Sequence, residues 1–206
     1  MMKEKINRIE DYLDELFPNP KCELNYNSDY SLLIAIMLSA QTTDKRVNEV
    51  TSVLFDKYST LNDIKKANLT DLESILRPLG NFRKKALYTK DIATILVDKY
   101  NGIVPEDRDS LEKLPGVGHK TVNVYYAEYL NIPSIAVDTH VQRVSRRLGL
   151  CNKKDGVLDI EKKLMKKFDK SVWGKRHLQL VLFGRYHCKA INPNCINCKL
   201  KDICKK

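Results

Sequence analysis

The sequence of 206 residues lacks a long hydrophobic run, an internal repeat and a low-complexity tract. Its longest apolar stretch spans residues 32–38, whereas a membrane-spanning helix needs roughly 20 apolar residues. Residues 3–17 mix apolar and acidic side chains, so the start of the chain lacks the apolar centre of a signal peptide. With 43% hydrophobic residues, the composition predicts a folded globular protein of the cytoplasm that does not bind membranes.

Acidic residues are scarce in the last third of the chain. Residues 140–206 contain 18 Lys and Arg but only 5 Asp and Glu, whereas residues 1–139 contain 18 and 21. A basic segment attached to a nearly neutral remainder indicates a polyanionic partner. A solvated lysine-rich surface without any partner explains the same charge equally well.

Cysteine is rare except at the end of the chain, where four cysteines fall within seventeen residues. The four are Cys188, Cys195, Cys198 and Cys204. Disulfides are uncommon in a cytosolic protein, so this cluster indicates a metal site. The spacing C-x6-C-x2-C-x5-C suits either zinc or an iron–sulfur cluster, although zinc ribbons more often use two C-x2-C pairs. Cys22 and Cys151 stand alone and are interpreted as core or surface thiols.

Strand signals are weak, while helical periodicity and capping residues recur along the whole chain. The segment that follows Ser28 is almost entirely apolar, so we expect this helix at the centre of a core. Asp109 and Glu112 have the spacing of a capping box. The patterns predict an all-α protein of about ten helices. One follows Asn68-Leu69-Thr70 and stops at Pro78, and the others lie at residues 3–17, 28–39, 44–58, 83–100, 109–114, 119–130, 139–148, 157–168 and 174–187.

A glycine-rich turn, LPGVGHK at residues 114–120, separates two of the predicted helices. Pro115 prevents the first helix from continuing, while Gly116 and Gly118 permit positive φ and leave the backbone uncovered. The second helix then points its free N–H groups at the turn, which suits a phosphate group. Such a turn would bind DNA backbone without reading sequence. The alternative is a tight corner between helices in which the glycines serve packing alone.

The segment LPGVGHKTVNV resembles the helix-hairpin-helix of the endonuclease III family of DNA glycosylases. Two further stretches, IAVDTHVQRV at 135–144 and LSAQTTD at 38–44, also resemble that family, as do the terminal cysteines. The resemblance implies that Lys120 is the nucleophile, that Asp138 is the essential aspartate and that Gln41 fills the gap left by a flipped base. It covers essentially the whole chain, with several motifs in the right order.

The resemblance further implies a base-excision repair enzyme, a DNA glycosylase and AP lyase that removes oxidised pyrimidines from duplex DNA. The amine of Lys120 would attack the sugar, form a Schiff base and allow β-elimination, while Asp138 would stabilise positive charge on the sugar. Without this resemblance, Lys120 is interpreted as a solvent-facing lysine and Asp138 as an N-cap. A capping aspartate can also face a site, so these interpretations are compatible.

The implied fold is an all-α, two-domain helix-hairpin-helix glycosylase with a C-terminal [4Fe–4S] cluster loop. We expect a central bundle at residues 22–132, with the hairpin at about 109–130, and a discontinuous domain of residues 1–21 and 133–206. The cluster would lie at 188–204 on the four cysteines, and DNA would lie in the cleft with Lys120 and Asp138 at its mouth. The expected DNA contacts are Gly116, Gly118, His119, Gln41, His140, Arg143 and Lys189.

Two positions depart from the family pattern. The apolar residue that wedges the opposite DNA strand in the family falls here on Asn81, next to Phe82, which is a candidate substitute. His119 stands where the family often has arginine, so we expect a weaker or pH-dependent phosphate contact.

Three other functions compete with this interpretation. A mismatch or adenine glycosylase of the same superfamily is one, although the adenine type usually lacks the lysine and carries an extra C-terminal domain. A non-catalytic helix-hairpin-helix DNA-binding module is the second, and an iron–sulfur electron carrier is the third. The favoured interpretation is a monomer that binds double-stranded DNA with a damaged base or abasic site, in the cytoplasm and on the nucleoid if the source is prokaryotic.

Overall fold

The computed structural model describes residues 2–205, which contain helices and turns but no strand. The chain forms two compact units. The terminal unit combines the chain through Cys22 with the chain from Tyr126 onward, and the central unit is Glu23–Tyr125. No helix in the described range is long and apolar enough to cross a membrane. The domain bounds proposed from the sequence, 22–132 for the central bundle and 1–21 with 133–206 for the second domain, stay a prediction.

The central unit is built around α2, whose residues from Ser31 through Leu38 are all buried. Ser28 begins this helix, because its hydroxyl accepts a hydrogen bond from the Ser31 N–H. Each fully buried Leu or Ile contributes roughly 1.5–3 kcal/mol relative to an exposed one, so α2 supplies much of the core energy. The prediction that this helix is central is confirmed. The helices are α2 (Asp29–Leu38), α3 (Asp44–Lys57), α4 (Leu61–Lys66), α5 (Leu69–Leu76), α6 (Phe82–Tyr100), α7 (Arg108–Glu112) and α8 (His119–Glu128).

The short helix α4 was not among the helices predicted from the sequence. Its N-cap Thr60 and Asp63 form a capping box, in which the Thr60 hydroxyl accepts from the Asp63 N–H and the Asp63 carboxylate accepts from the Thr60 N–H. Six residues are too few to show a clear helical period, so only the capping residues signalled it. Both α4 and α5 pack against α6.

The terminal unit joins the N-terminal helix to the C-terminal third of the chain. The Tyr12 hydroxyl donates to the Asn197 carbonyl oxygen at 3.0 Å, and Arg8 forms an ion pair with Asp202 at 2.9 Å. The helix therefore holds the cysteine-rich segment through contacts nearly 200 residues apart in sequence. The elements are α1 (Met2–Leu16), α9 (Thr139–Arg147), α10 (Val157–Lys167), α11 (Trp173–Leu182), the 3-10 turns Lys170–Val172 and Lys201–Ile203, and the π-helical segment Phe183–His187.

A buried arginine fixes α1 to α11. Only 7% of the Arg176 side chain is exposed, and it donates to Glu10 at 3.1 Å and to Asp14 at 2.8 and 3.1 Å. Gln179 donates to the same Asp14 carboxylate at 2.9 Å. A buried cation is stable only when its donors are paired, and this network provides the partners.

The helix that leads to the first clustered cysteine changes its winding before it ends. The sequence predicts one helix at 174–187, but α11 stops at Leu182 and a π-helical turn follows over Phe183–His187. The Cys188 N–H donates to the Phe183 carbonyl at 2.6 Å, which closes this wider turn. π-Helical turns occur frequently at functional sites. Here the π-helical turn places Cys188 at the pocket described below.

Candidate active site

The helix-hairpin-helix is present as predicted from the glycine turn, with one difference at its start. The N-cap of α7 is Asp107, whose carboxylate accepts from the Ser110 N–H at 2.8 Å. The predicted capping box of Asp109 and Glu112 was therefore misplaced. Since α7 begins before Asp109, that residue lies in the first helical turn.

The two glycines of the turn serve different purposes. Gly116 has a φ of +75°, and a Cβ atom there would lie 2.5 Å from the Tyr88 ring and 3.1 Å from Met37. Gly116 is therefore required by the backbone and by packing. Gly118 is not in the left-handed region, and a Cβ atom there would meet nothing within 4 Å. The expectation that both glycines use positive φ is wrong for Gly118, whose missing side chain instead leaves the backbone open.

His119 takes part in a hydrogen-bond network inside the hairpin. Arg108 donates to its Nδ1 at 3.2 Å, to Asn123 Oδ1 at 2.6 Å and to Glu112 at 2.9 Å. Because an arginine can only donate, the Nδ1 atom of His119 accepts in this arrangement. The network connects α7 to α8 and so fixes the angle at which the turn is presented.

Lys120 and Gln41 lie in the central unit with the hairpin. Lys120 is exposed in the first turn of α8, two residues after Gly118. Gln41 is exposed between α2 and α3, with a left-handed φ of 56°. Asn81 has the same φ of 56° and is exposed directly before α6, while Phe82 is half-buried under the Arg83 guanidinium at 5.3 Å. The structure thus places these candidates in one compact unit.

Asp138, His140 and Arg143 lie together in the terminal unit. Asp138 is half-buried and caps α9, because its Oδ1 accepts from the Val141 N–H at 2.8 Å. Arg143 points into the unit, where it donates to the Gly184 carbonyl at 2.7 Å and to the Cys188 carbonyl at 3.2 Å. Burial lowers the pKa of Arg143. The Arg143 guanidinium also contacts His140 Nδ1 at 3.3 Å, which brings these two side chains together.

The four clustered cysteines line one pocket of about 240 Å³, together with Arg147 and His187. Burial raises the pKa of the Cys198 thiol, and the negative charges of the other three cysteines raise it further. Within residues 2–205, no three His, Cys, Asp or Glu side chains converge tightly enough to hold a single metal ion. Lys189 is exposed on the loop between the first two cysteines.

Sequence reasoning missed two basic residues that fix these segments. Arg147 donates to Cys188 Sγ at 3.4 Å and to the Lys189 carbonyl at 2.7 Å. Lys85 is buried and donates to Ala40 and Thr42, on either side of Gln41. Neither position carries a local signal, since lysine and arginine on a helix are usually solvent-exposed.

Over the described residues 2–205, the helices and the hairpin between α7 and α8 define a helix-hairpin-helix protein. Residues 34–170 match the family described as HhH-GPD superfamily base excision DNA repair protein. Endonuclease III of Bacillus subtilis (strain 168) is 45% identical over 196 residues, covering 95% of this chain and 90% of the relative. Endonuclease III of Haemophilus influenzae is 42% identical over 205 residues, covering 100% and 97%. The chain belongs to the endonuclease III family.

A solved structure of a trapped endonuclease III–DNA covalent intermediate, an estranged-adenine complex, superposes with a TM-score of 0.95. It is 47% identical and the match covers 100% of this chain and 96% of that one. The predicted fold class, the family and the function of a base excision repair DNA glycosylase and AP lyase acting on damaged duplex DNA are confirmed. The individual site residues stay predictions.

Proposed function

We propose that Lys120 is the nucleophile and Asp138 the supporting carboxylate in removal of an oxidised pyrimidine from duplex DNA. The observation that carries this assignment is the position of Lys120, exposed in the first turn of α8 and two residues beyond the open backbone at Gly118. An amine and a phosphate-binding turn are thereby held side by side.

The hairpin would hold the DNA backbone next to the lesion. The free N–H groups and the positive dipole end of α8 favour an anion at the turn. The absence of a side chain at Gly118 allows a phosphate to approach the main chain. Phosphate contacts carry no base identity, so this element sets position and leaves lesion choice to other residues.

The lysine chemistry is a displacement followed by an elimination. The Lys120 amine attacks the sugar C1′, the bond from C1′ to the base nitrogen breaks, and the base leaves with a proton. Opening of the sugar ring gives an iminium, which acidifies the C2′ proton. Removal of that proton gives an enamine, whose electrons form the C2′=C3′ double bond as the C3′–O bond breaks and the phosphate leaves. Water then hydrolyses the conjugated imine and frees the Lys120 amine. Asp138 stabilises positive charge on the sugar and accepts a proton.

The damaged base must leave the duplex before the lysine can reach C1′. We assign Gln41 to the gap that the base vacates, and Asn81 with Phe82 to the opposite strand. The exposed, left-handed backbone at Gln41 and Asn81 supports this assignment, because both residues project from tight turns. His119, His140 and Lys189 are the further proposed contacts to DNA. We expect a monomer acting where the chromosome lies, in the cytoplasm and on the nucleoid of a prokaryote.

We infer that Cys188, Cys195, Cys198 and Cys204 bind a [4Fe–4S] cluster. The four side chains line one pocket of about 240 Å³, and cysteine sulfurs are the ligands that hold iron in such clusters, which supports this assignment. When bound, the cluster would cross-link the C-terminal segment through four thiolate–iron bonds, which couples metal binding to local folding. Iron and acid-labile sulfide in the anaerobically purified protein would support this assignment, and one zinc per chain would overturn it.

The central experiment is borohydride trapping on a duplex with thymine glycol or an abasic site. Unaltered protein should give a covalent protein–DNA adduct, while Lys120→Gln and Lys120→Arg should give neither adduct nor strand cleavage. Lys120→Arg keeps the positive charge, so its loss of trapping would separate imine formation from phosphate binding. An adduct with either variant would move the nucleophile to another residue. Comparison with a thymine–guanine mismatch duplex tests the mismatch-glycosylase alternative.

A further inference from the structure

A lysine is buried where the central unit holds the Gln41 turn. Lys85 lies in the first turn of α6 with only 5% of its surface exposed. Its Nζ atom donates to the Ala40 carbonyl at 2.8 Å and to the Thr42 hydroxyl at 3.0 Å. These two acceptors belong to the immediate neighbours of Gln41. The amine is therefore hydrogen-bonded to the turn on both sides of the residue proposed to enter the DNA.

The helix α6, which carries this lysine, begins at the second proposed DNA-facing turn, at Asn81. The Lys85 N–H donates to the Asn81 carbonyl at 3.1 Å, as the ordinary i→i−4 backbone bond of that helix. Gln41 and Asn81 each have a φ of 56°, a left-handed conformation that few non-glycine residues adopt. Such a conformation persists only where surrounding contacts enforce it. At the Gln41 turn, the side chain of Lys85 makes such contacts.

Burying the amine of Lys85 costs free energy, because the amine loses its hydration. Burial lowers the pKa of Lys85, and both side-chain acceptors are neutral oxygens. An apolar side chain of similar length would fill this position without a desolvation cost. The amine is therefore explained by the two hydrogen bonds that it donates and not by the packing of its stem.

We propose that Lys85 is a positioning residue that holds Gln41 in the arrangement needed to occupy the gap left by the flipped base. The proposal rests on the gap-filling role assigned above. Lys85 acts through Gln41 and does not touch DNA or the reacting atoms. Its loss should impair extrusion of an intact damaged base more than reaction at a site where the base is already missing.

The test uses Lys85→Met, which keeps the aliphatic stem and removes the donor. The matched control is Lys90→Met, because Lys90 lies on the same helix and donates to the Ala67 carbonyl at 2.7 Å, away from the Gln41 turn. Single-turnover excision of thymine glycol should slow by about tenfold in Lys85→Met, equivalent to roughly 1.4 kcal/mol. Lys90→Met should excise at the unaltered rate, and borohydride trapping on an abasic duplex should change by less than about threefold in either variant.

A double-mutant cycle distinguishes positioning from a general loss of stability. If Lys85 acts through Gln41, then Lys85→Met should add no further defect to Gln41→Ala. Multiplied defects, or equal losses of excision and abasic-site trapping, would overturn the proposal. Should Lys85→Met fold poorly by thermal melting, the same cycle is run with Thr42→Val, which removes one of the two acceptors of the Lys85 amine and should likewise add no defect to Gln41→Ala. Failure of the Lys120 assignment would look different, because trapping would then survive in Lys120→Gln.

Discussion

Asp138 and Arg147 stand at opposite ends of the same nine-residue helix, α9, and both are hydrogen-bonded to backbone atoms. Asp138 caps the first turn, while Arg147 ends the helix on the cysteine loop. Arg143 lies one turn before Arg147 and also donates to the Cys188 carbonyl. The helix is thus a short rigid connection between the proposed catalytic carboxylate and the proposed cluster. A role for the cluster in catalysis can therefore be purely mechanical.

Replacing Arg147 should loosen the cysteine loop without removing a ligand. Arg147→Met loses donors to Cys188 Sγ and to the Lys189 and Ala190 carbonyls, at 3.4, 2.7 and 3.3 Å. We expect faster loss of iron to a chelator and a free energy of unfolding reduced by about 1–3 kcal/mol. Arg147→Lys should recover only part of the effect, because an ammonium presents its three donors from one atom, whereas the guanidinium spreads five donors over a plane. Unchanged chelation kinetics in Arg147→Met would contradict this role.

Substitution by alanine should affect protein stability at one hairpin glycine and DNA binding at the other. Gly116→Ala introduces a Cβ into a left-handed position and against the Tyr88 ring, so it should destabilise the protein by on the order of 1–3 kcal/mol. Gly118→Ala meets open space and should leave the melting temperature unchanged, while weakening binding to damaged and undamaged duplexes alike. Thermal melting and a salt-dependent binding titration measure the two effects. A lesion-specific defect in Gly118→Ala would contradict a backbone-binding turn.

Much of the fold follows from local patterns in the sequence. The sequence predicts the all-apolar α2 and the capped helices, because the residues that signal them lie close together in the chain. The hairpin is equally visible, since proline and glycine restrict the backbone directly. The capping box at Thr60 is also a local signal, but the six residues of α4 are too few to show a helical period, so α4 was not predicted.

Other features could not be predicted because they depend on residues far apart in the chain. The π-helical turn before Cys188 is set by packing against α9, where a Cβ on Gly184 would lie 2.8 Å from His140 Cβ. Burial of Lys85 depends on a loop 45 residues away. Arg143 was expected to contact DNA, and only the fold reveals its bonds to the Gly184 and Cys188 carbonyls. Side-chain direction at such positions is a tertiary property.

Acid should weaken the attachment of α1 through Asp14. Hydrogen bonds from Arg176, then from Lys175 and Gln179, hold the pKa of Asp14 well below its usual 3.8. A depressed pKa in the folded state stabilises the protein above the unfolded pKa, and that stability is lost as pH falls from about 5 toward the folded value. Asp14→Asn should therefore be less stable than the unaltered protein at pH 7, and the difference should shrink below about pH 4.

Urea unfolding of the two proteins at matched pH measures this difference, and acid effects common to both cancel. Asp11→Asn is the matched control, because Asp11 is an exposed acid on the same helix. We expect Asp11→Asn to follow the unaltered protein at every pH. A stability gap for Asp14→Asn that persists undiminished at pH 3 would show that the carboxylate's charge is not what holds α1 to α11.

Asp138 offers the clearest separation of folding from chemistry, because its capping role can be kept while its charge is removed. Asparagine caps helices about as well as aspartate, so Asp138→Asn should retain the bond to the Val141 N–H and melt normally. If the carboxylate stabilises charge on the sugar and moves protons, single-turnover base release should slow by on the order of 10²–10⁴-fold. Binding to the same duplex should persist. Asp138→Ala should lose the cap as well, at a cost of about 1 kcal/mol in stability. Equal base-release rates in Asp138→Asn and the unaltered protein would reduce Asp138 to a helix cap, whereas a rate defect with an unchanged melting temperature would assign the carboxylate to the reaction.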